Sequence, residues 1–340
     1  MMRKEDKILL SHGNGGRLMQ DLIADLFLKN FGNKKLEDQS DSAILVIDSR
    51  EIAFTTDSFV IDPLFFPGGN IGKLAVCGTV NDLSVSGAEP MFISVSLIIE
   101  EGFPIKELEV IVKSLAEEAR KANVEIVTGD TKVVNKGKCD KLFVNTAGIG
   151  RIRPEKNITG RTQIINPGDV IIVNGTIGDH GMAVMNARES FNFTTPVESD
   201  CACLDQLIHE VLEQTGSVRF MRDATRGGVA TVLNELTAKI PYGIEIEEDA
   251  IPVSRGVRAM CELLGFDPLY IANEGKVILV VPEQESSLVL EIMRRNILGR
   301  ESSIIGRVVQ DHPGKVVLKT TTGGKRIVDV LTGDQLPRIC

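Results

Sequence analysis

The stretch Val124-Glu125-Ile126-Val127-Thr128-Gly129-Asp130-Thr131-Lys132 decides the fold of this chain. Residues 124–128 predict a β-strand that leads through glycine into Asp130, and predicted strands at 52–56 and 218–221 lead into Asp57 and Asp223. Carboxylates at strand ends project into the mouth of a sheet, where they can share Mg²⁺ and bridge it to substrate phosphates. Turn formation or helix capping explains any one of these aspartates. It explains less well the hydroxyls, cations and glycines beside them, which suit a nucleotide phosphate: Thr131, Lys132, Thr225, Arg226 and Gly227.

Alternating helical and strand patterns surround this stretch. After residue 41 they predict a hairpin of strands Ala43–Asp48 and Ile52–Thr56, followed by a helix Ile71–Val85 that carries Asn81 and Asp82. The breaker-rich segment 151–168 predicts a domain junction. No GxGxxG opens a βα unit, which disfavours a doubly wound Rossmann core. We therefore expect an α+β chain with a glycine-rich loop and helix at 1–40, α/β domains at 41–155 and 156–310, and a flexible tail at 311–340.

The composition excludes several classes of function. The chain has 340 residues, of which 43% are hydrophobic and 25% charged, so two ordinary soluble domains are expected. A net charge of -9, no Trp and two Tyr argue against a nucleic-acid partner. No apolar run is long enough for a membrane helix. The apolar run near the start of the chain is too short for a signal peptide. We expect a cytoplasmic protein that engages no membrane.

The chain ends in Pro337-Arg338-Ile339-Cys340, after a polar, turn-rich segment. A terminal thiol on such a tether could enter a pocket, carry a group in a thioester-like linkage and leave again. The alternative is an accidental free cysteine on a frayed end. The six cysteines include no CxxC pair, which in the cytosol favours reduced thiols, and Cys201-Ala202-Cys203 matches no known zinc spacing.

Two further segments could take part in chemistry. The loop Ser11-His12-Gly13-Asn14-Gly15-Gly16 precedes a helical pattern at 17–31, so its backbone N–H groups could converge on a phosphate, with His12 adding charge. Glycine-rich turns before helices are also common without a ligand. Asn273-Glu274-Gly275 places Glu274 in a turn, where a buried carboxylate could act as a general base. An ordinary turn is the alternative.

Several of these motifs together resemble the ATP-dependent superfamily of aminoimidazole ribonucleotide synthetase and selenophosphate synthetase. The matching segments are residues 55–58, 78–82, 128–132, 222–228 and 273–275. Within it, residues 62–69, 129–134 and the terminal 337–340 resemble the HypE family of hydrogenase maturation factors. The resemblance runs from end to end. It implies a PurM-like fold and a homodimer whose first domains pair to build a nucleotide cleft, closed by the glycine loop.

The resemblance also implies an activity, that of an ATP-dependent carbamoyl dehydratase. HypF would carbamoylate Cys340, ATP would phosphorylate the carboxamide oxygen, and loss of phosphate would leave a thiocyanate that passes to iron on the HypC–HypD complex of [NiFe] hydrogenase assembly. Glu274 is the expected base, and Lys132 together with Mg²⁺ on Asp57, Asp82 and Asp130 would offset phosphoryl charge. The expected nucleotide contacts are His12, Gly13, Gly15, Gly16, Asp41, Asn81, Thr131, Asp223, Thr225 and Gly227.

Two alternatives stay open at the level of sequence. A kinase or synthetase of the same superfamily, acting on a free small molecule, would have no use for a terminal cysteine. A non-catalytic scaffold would present the tail to partner proteins and hydrolyse little ATP.

Overall fold

The computed structural model describes residues 6–13, 16–37, 42–43, 45–158, 161–189, 197–331, 336 and 338–340. Within these ranges the chain forms two successive α+β domains, each built on its own sheet. This agrees with the predicted fold class. None of the helices in these ranges has the length and apolar character needed to cross a membrane.

The first domain is a four-stranded sheet in the order β1-β6-β4-β5, in which only β4 and β5 run parallel. Its strands are β1 (Glu51–Phe59), β4 (Ala88–Glu100), β5 (Glu125–Val134) and β6 (Leu142–Ile152), with a small pair β2 (Phe65–Phe66) and β3 (Gly69–Asn70). Helix α1 (Arg17–Leu22) continues through a π-helical segment Ile23–Leu28 into α2 (Lys29–Phe31), before α3 (Lys34–Glu37), α4 (Ile71–Val85) and α5 (Ile105–Lys121).

Helix α4 is the centre of this domain. Asn70 caps it, because its side-chain oxygen accepts from the backbone N–H groups of Gly72 and Lys73 at 2.9 and 3.2 Å. The helix is buried on nearly all sides, since it lies between the inner face of the sheet and α5. Helix α5 is amphipathic, as its apolar spacing predicts, with Leu108 and Leu115 on the buried face.

Two predictions about the first domain are wrong in detail. β1 pairs with the distant β6, not with 43–48, and the described residues of 43–48 form no strand, so the predicted hairpin does not exist. Asp57 and Asp130 also lie inside longer strands and not at strand ends. Polar residues continue a strand when its backbone is paired on a neighbour, which a single-sequence apolar pattern does not reveal.

The second domain is a seven-stranded sheet in the order β13-β12-β9-β11-β7-β10-β8. Its strands are β7 (Val170–Val173), β8 (Phe220–Asp223), β9 (Gly243–Glu247), β10 (Val277–Val281), β11 (Ser303–Val309), β12 (Val316–Lys319) and β13 (Lys325–Val328). Its helices are α6 (Asp179–Glu189), α7 (Asp205–Gln214), α8 (Gly228–Thr237), α9 (Arg255–Leu264) and α10 (Glu283–Arg295). β12 and β13 correct the predicted tail at 311–340, because residues 316–319 and 325–328 belong to this sheet.

Candidate active site at the domain junction

The C-terminal residues dock against both domains. The backbone N–H of Val60 donates to the carbonyl of Cys340 at 3.2 Å, and the Arg338 side chain donates to the Val60 carbonyl at 3.1 Å. In the second domain, His180 Nε2 lies 2.8 Å from the carbonyl oxygen of Ile339, whose side chain is only 3% exposed. The expectation that nothing pins the end of the chain is therefore wrong for its last three residues.

Docking carries the terminal thiol into a cavity of about 380 Å³ at the junction of the domains. Burial, reinforced by the negative charge of Glu274, raises the pKa of the Cys340 thiol to about 12, although Arg226 acts in the opposite direction. The docked thiol is therefore protonated at neutral pH and is a weak nucleophile. Arg226 and Gly227 line the same cavity.

Glu274 is the buried acidic residue whose negative charge acts most strongly on the thiol. Its side chain is 3% exposed, and its Oε1 is buried with no hydrogen-bond partner among the described residues. Burial, followed by the nearby carboxylates of Asp200, Asp223 and Asp57, raises the pKa of Glu274 well above its ordinary value. A carboxylate with a raised pKa is a stronger base than an ordinary glutamate, and its unused oxygen is free to take a proton.

A buried ion pair holds Glu274 in place. Asp200 accepts from the backbone N–H groups of Glu274 and Gly275 at 3.2 and 3.0 Å, and its carboxylate lies 3.1 Å from Lys276 Nζ. Burial would raise the pKa of Asp200, but Lys276, His180 and the backbone together hold it below its ordinary value. Gly275 is required here, because a Cβ at that position would lie 2.0 Å from the Asp200 carbonyl oxygen.

Asn81, a predicted nucleotide contact, positions the same loop. Its side-chain amide donates to the carbonyls of Ala202 and Glu274, both at 3.1 Å, and its oxygen accepts from the Leu204 N–H at 2.8 Å. These bonds satisfy both ends of the side-chain amide, and Asn81 is only 2% exposed. The structure therefore places Asn81 in a bridge between the domains and not on an open surface.

Three carboxylates converge beside this loop from different elements. Asp57 on β1 lies within hydrogen-bond distance of Asp82 on α4, which accepts from the Thr55 hydroxyl at 2.7 Å. Asp223, the last residue of β8, lines a cavity of about 330 Å³ with Asp82. Burial and then the charge of Asp82 raise the pKa of Asp57 to about 6 and that of Asp223 to about 7.

This set of oxygens fits a divalent cation. Asp57 Oδ2 is buried without a hydrogen-bond partner in the described part of the chain, and the three carboxyl groups repel one another when ionised. A hard cation such as Mg²⁺ takes carboxylate oxygens and would remove that repulsion. Asp223 joins Asp57 and Asp82 here, whereas the sequence analysis assigned it to the nucleotide.

The segment after Asp223 turns back toward the thiol. Gly227 and Gly228 adopt φ of 73° and 59°, and α8 begins at Gly228. A Cβ on Gly228 would lie 2.5 Å from the Leu269 carbonyl oxygen, so only glycine allows this close approach. The predicted contacts Thr225 and Gly227 thus lie at a helix N-terminus beside Cys340, where a phosphate is stabilised.

Asp130 and Lys132 do not join this group within one chain. Across the sheet, Asp57 is in register with Gly129, on the far edge strand, at a separation of about 14 Å or three strand spacings. Successive residues of a strand point to opposite faces, so Asp130 also faces the other side of the sheet. The prediction that Asp57, Asp82 and Asp130 share one ion is therefore wrong within a single chain. Lys132 Nζ lies 3.0 Å from the Asp130 carboxylate.

The described residues 11–13 of the glycine loop lie against the same far edge. His12 is 5% exposed and its Nδ1 accepts from the Leu9 N–H at 3.0 Å, while a Cβ on Gly13 would lie 2.6 Å from the Val133 nitrogen. Gly16 precedes α1. An apolar cavity of about 230 Å³ separates the N-terminal helices from β5 at Gly129 to Thr131. Gly15 and Asp41, two predicted nucleotide contacts, lie outside the described residues.

The residues that hold the loop and the tail carry little or no signal in the sequence. Asp200, His180 and Lys276 showed no motif; Lys276 follows the 273–275 motif directly, which is the one signal that could have found it. Arg226 was noticed as a cation beside a predicted phosphate site, and the structure adds its contact with Cys340.

Comparisons with known proteins agree with this architecture. Models of the N-terminal and C-terminal domains of AIR synthase related proteins match residues 39–152 and 166–319. The chain is 47% identical to carbamoyl dehydratase HypE of Rhodobacter capsulatus, over 100% of both proteins. A crystal structure of hydrogenase maturation protein HypE in complex with ATP superimposes with a TM-score of 0.93 at 43% identity, covering 98% of this chain and 99% of that one.

A second solved structure, a HypE–HypF complex, matches with a TM-score of 0.79 at 47% identity, covering 91% of this chain and 99% of that one. Identity at this level over whole chains, together with both domain models, fixes the family. The chain belongs to the HypE family of hydrogenase maturation proteins, within the AIR synthase related proteins.

Proposed function

We propose that the protein is an ATP-dependent carbamoyl dehydratase that converts an S-carbamoyl group on Cys340 into an S-cyanate, the source of the cyanide ligand of [NiFe] hydrogenase. The observation that carries the proposal is the docked tail, because it brings the terminal thiol into a junction cavity lined by Arg226, where the charge of Glu274 acts on the thiol. The name of the Rhodobacter relative and the ATP in a solved HypE structure support it.

In the first step the carboxamide oxygen attacks the γ-phosphorus of ATP. The O–P bond forms, the bond from the γ-phosphorus to ADP breaks, and one amide proton passes to solvent water, giving an S-bound imidate phosphate and free ADP. An amide oxygen is a poor leaving group, and its phosphorylated form is a good one, which is why ATP is consumed. Arg226 lies where it can offset charge on the transferring phosphoryl group, next to the helix N-terminus at Gly228.

In the second step the remaining N–H proton goes to a base, the C–O bond breaks and inorganic phosphate leaves. The nitrogen electron pair then completes the carbon–nitrogen triple bond of the S-cyanate. Glu274 is our candidate for this base, because its Oε1 has no hydrogen-bond partner among the described residues and its raised pKa makes the carboxylate a stronger base.

Mg²⁺ is the second expected cofactor, and Asp57, Asp82 and Asp223 are the side chains that would hold it. When bound, the ion would offset negative charge on the ATP phosphates. Thr131 on β5, and Gly13 packed against Val133, are predicted nucleotide contacts at the far edge of the sheet, where Asp130 is the third predicted Mg²⁺ ligand and Lys132 the predicted catalytic cation.

The tail contacts fit a carrier that must also leave the site. HypF is the proposed carbamoyl donor, supported by the solved HypE–HypF complex, and the HypC–HypD complex is the proposed cyanide acceptor. Because the docked thiol is protonated and enclosed, carbamoylation requires the tail to be undocked first. The protein would therefore alternate between an inward and an outward position of residues 338–340.

A homodimer would bring the two separate groups of predicted residues together. Asp130 lies on the outer face of the first sheet, where Ile52, Phe54 and Ile98 are 52%, 67% and 42% exposed. Pairing of these faces between two copies would cover the apolar side chains. It would also place Asp130 and Lys132 against a partner chain, which supports the predicted nucleotide cleft between first domains.

Intact mass is the direct test of the proposed reaction. Protein carbamoylated by HypF is weighed before and after addition of Mg-ATP, beside Cys340→Ala and the matched control Cys139→Ser, whose cysteine lies elsewhere in the first domain. We expect loss of the mass of one water in the parent and in Cys139→Ser, and no carbamoylation of Cys340→Ala. An unchanged mass after confirmed carbamoylation would overturn the dehydratase proposal.

The rate of ATP consumption, measured in the same samples, separates the alternatives. A small-molecule kinase of the superfamily would hydrolyse or transfer phosphate from ATP as fast in Cys340→Ala as in the parent. A scaffold would consume almost no ATP even when carbamoylated.

A further inference from the structure

Three cysteines from two domains meet outside the site described above. Cys77 lies on α4, and Cys201 and Cys203 lie in the segment that leads into α7. Cys203 Sγ is 3.6 Å from Cys77 Sγ, and Cys201 lies within hydrogen-bond distance of Cys77. All three are free thiols, and the proposed dehydratase chemistry uses none of them.

A carboxylate completes the cluster. One oxygen of Glu118, on α5, lies with the sulfur atoms of Cys77 and Cys203 so that all three atoms are within 4.8 Å of one another. Glu118 is 8% exposed and its carboxylate is 2.7 Å from Lys121 Nζ. Apolar packing of thiols does not require a buried carboxylate beside them, so the composition of the cluster points to a ligand.

The sulfur separation agrees with metal coordination. In a tetrahedral site with metal–sulfur bonds of about 2.3 Å, two sulfur ligands lie about 3.8 Å apart. The separation of 3.6 Å between Cys77 and Cys203 is close to that value, whereas a disulfide needs about 2.0 Å. Cys203 is partly exposed, so an ion could enter from its side.

We propose that Cys77, Cys203 and Glu118 form a binding site for a soft divalent metal ion of the Zn²⁺ type, with a fourth position left for water or for the nearby Cys201. Thiolate sulfur selects such ions over Mg²⁺, so this site and the proposed Mg²⁺ site bind different metals. Each bound ion displaces two thiol protons, one from Cys77 and one from Cys203. The positive charges of Lys121 and Lys73, which act on Glu118 and Cys201, offset part of the resulting negative charge.

The metal would tie the two domains together next to Glu274. Residues 201 and 203 follow Asp200, which holds the backbone of Glu274 and Gly275, and the carbonyl of Ala202 accepts from Asn81. An ion shared with α4 and α5 would therefore fix the segment on which the position of Glu274 depends. This is a structural metal site, with no part in the bond-breaking steps.

Cobalt titration tests the site, because tetrahedral Co²⁺ bound to thiolates shows sulfur-to-metal charge-transfer absorption. Full-length reduced protein carrying Cys340→Ala, which removes the tail thiol, is titrated with Co²⁺ in excess Mg²⁺. We expect one strongly absorbing Co²⁺ per chain. The absorption should be lost in Cys77→Ser and Cys203→Ser and kept in Cys139→Ser and Cys261→Ser.

Thermal melting guards against a variant that has simply unfolded. Cys203→Ser, at a half-buried position, should melt like its parent without metal, while added Zn²⁺ raises the melting temperature of the parent alone. Absence of charge-transfer absorption in the parent, or its survival in Cys203→Ser, overturns the proposal. So does a Cys77–Cys203 disulfide that persists in reducing buffer and excludes the metal.

Discussion

Glu274 is the residue on which proton removal depends in the proposed reaction, and its burial makes a distinctive prediction. Glu274→Gln should abolish dehydration of carbamoylated protein while leaving the carbamoyl group on Cys340, because glutamine keeps the shape of the protonated acid and cannot accept the proton. Intact mass measures both results. Dehydration at the parental rate would exclude Glu274 as the base.

The same substitution should stabilise the protein at high pH. Because the pKa of Glu274 is raised by folding, the native state holds its proton where the unfolded chain has lost it, and stability falls as pH rises through that window. Glutamine does not titrate, so the variant does not lose stability in this way. The melting temperature of Glu274→Gln should match the parent below pH 4.5, the ordinary glutamate pKa, and exceed it increasingly as pH rises above that value. Glu291→Gln, at an exposed position on α10, is the control.

The three aspartates at the junction predict how Mg²⁺ binding depends on pH. With pKa values of about 6 for Asp57 and about 7 for Asp223, protons compete with the cation, and affinity should rise as pH increases through both values. Mg²⁺ should raise the melting temperature near pH 8 and have little effect near pH 5, about two pKa units below Asp223. Asp223→Asn should reduce the effect, and an unchanged response would remove Asp223 from the site.

Single residues also show what the sequence could and could not predict. Asp57, Asp82, Glu274 and Cys340 were found because each stands in a recognisable local pattern. Asp200 and His180 were missed, because their roles depend on contacts with Lys276 and with the Ile339 carbonyl that form only when the chain folds. Asp130 was grouped with the wrong partners, since its face and strand follow from sheet pairing.

At the scale of elements, the docked tail makes the next prediction. Arg338 donates to the Val60 carbonyl and also pairs with Asp140, so Arg338→Ala should favour the undocked tail. A charged hydrogen bond contributes about 1.5 kcal/mol, which corresponds to roughly tenfold in the docking equilibrium. Alkylation of Cys340 at neutral pH should become faster by about that factor, measured by mass spectrometry of the C-terminal peptide.

Arg295→Ala serves as the matched control, because Arg295 pairs with Glu291 on the surface of α10. If Cys340 reacts at the same rate in both variants, Arg338 does not hold the tail.

Helices, whose pattern of apolar residues lies within one segment, were predicted well. The pairing of strands, which depends on distant segments, was not. The helix at 71–85 was predicted with its observed bounds, and α5 was predicted from its apolar spacing. β1 was paired with the wrong neighbour, and β12 and β13 were assigned to the tail. Helix hydrogen bonds are local, whereas strand partners here lie as far apart as Val170 and Arg307.

For the whole molecule, the exposed face of the first sheet predicts a homodimer through that face. Phe54 is 67% exposed in the middle of β1, so Phe54→Asp would place a charge inside the proposed interface and should convert a dimer into a monomer. Leu263→Asp is the matched control, because Leu263 is 72% exposed on α9 of the second domain. Sedimentation velocity distinguishes the two states. If Phe54→Asp converts the protein into a monomer, the rate of ATP turnover should also fall, because Asp130 and Lys132 would lose the partner chain. If the parent protein is itself a monomer, these two residues have no nucleotide role.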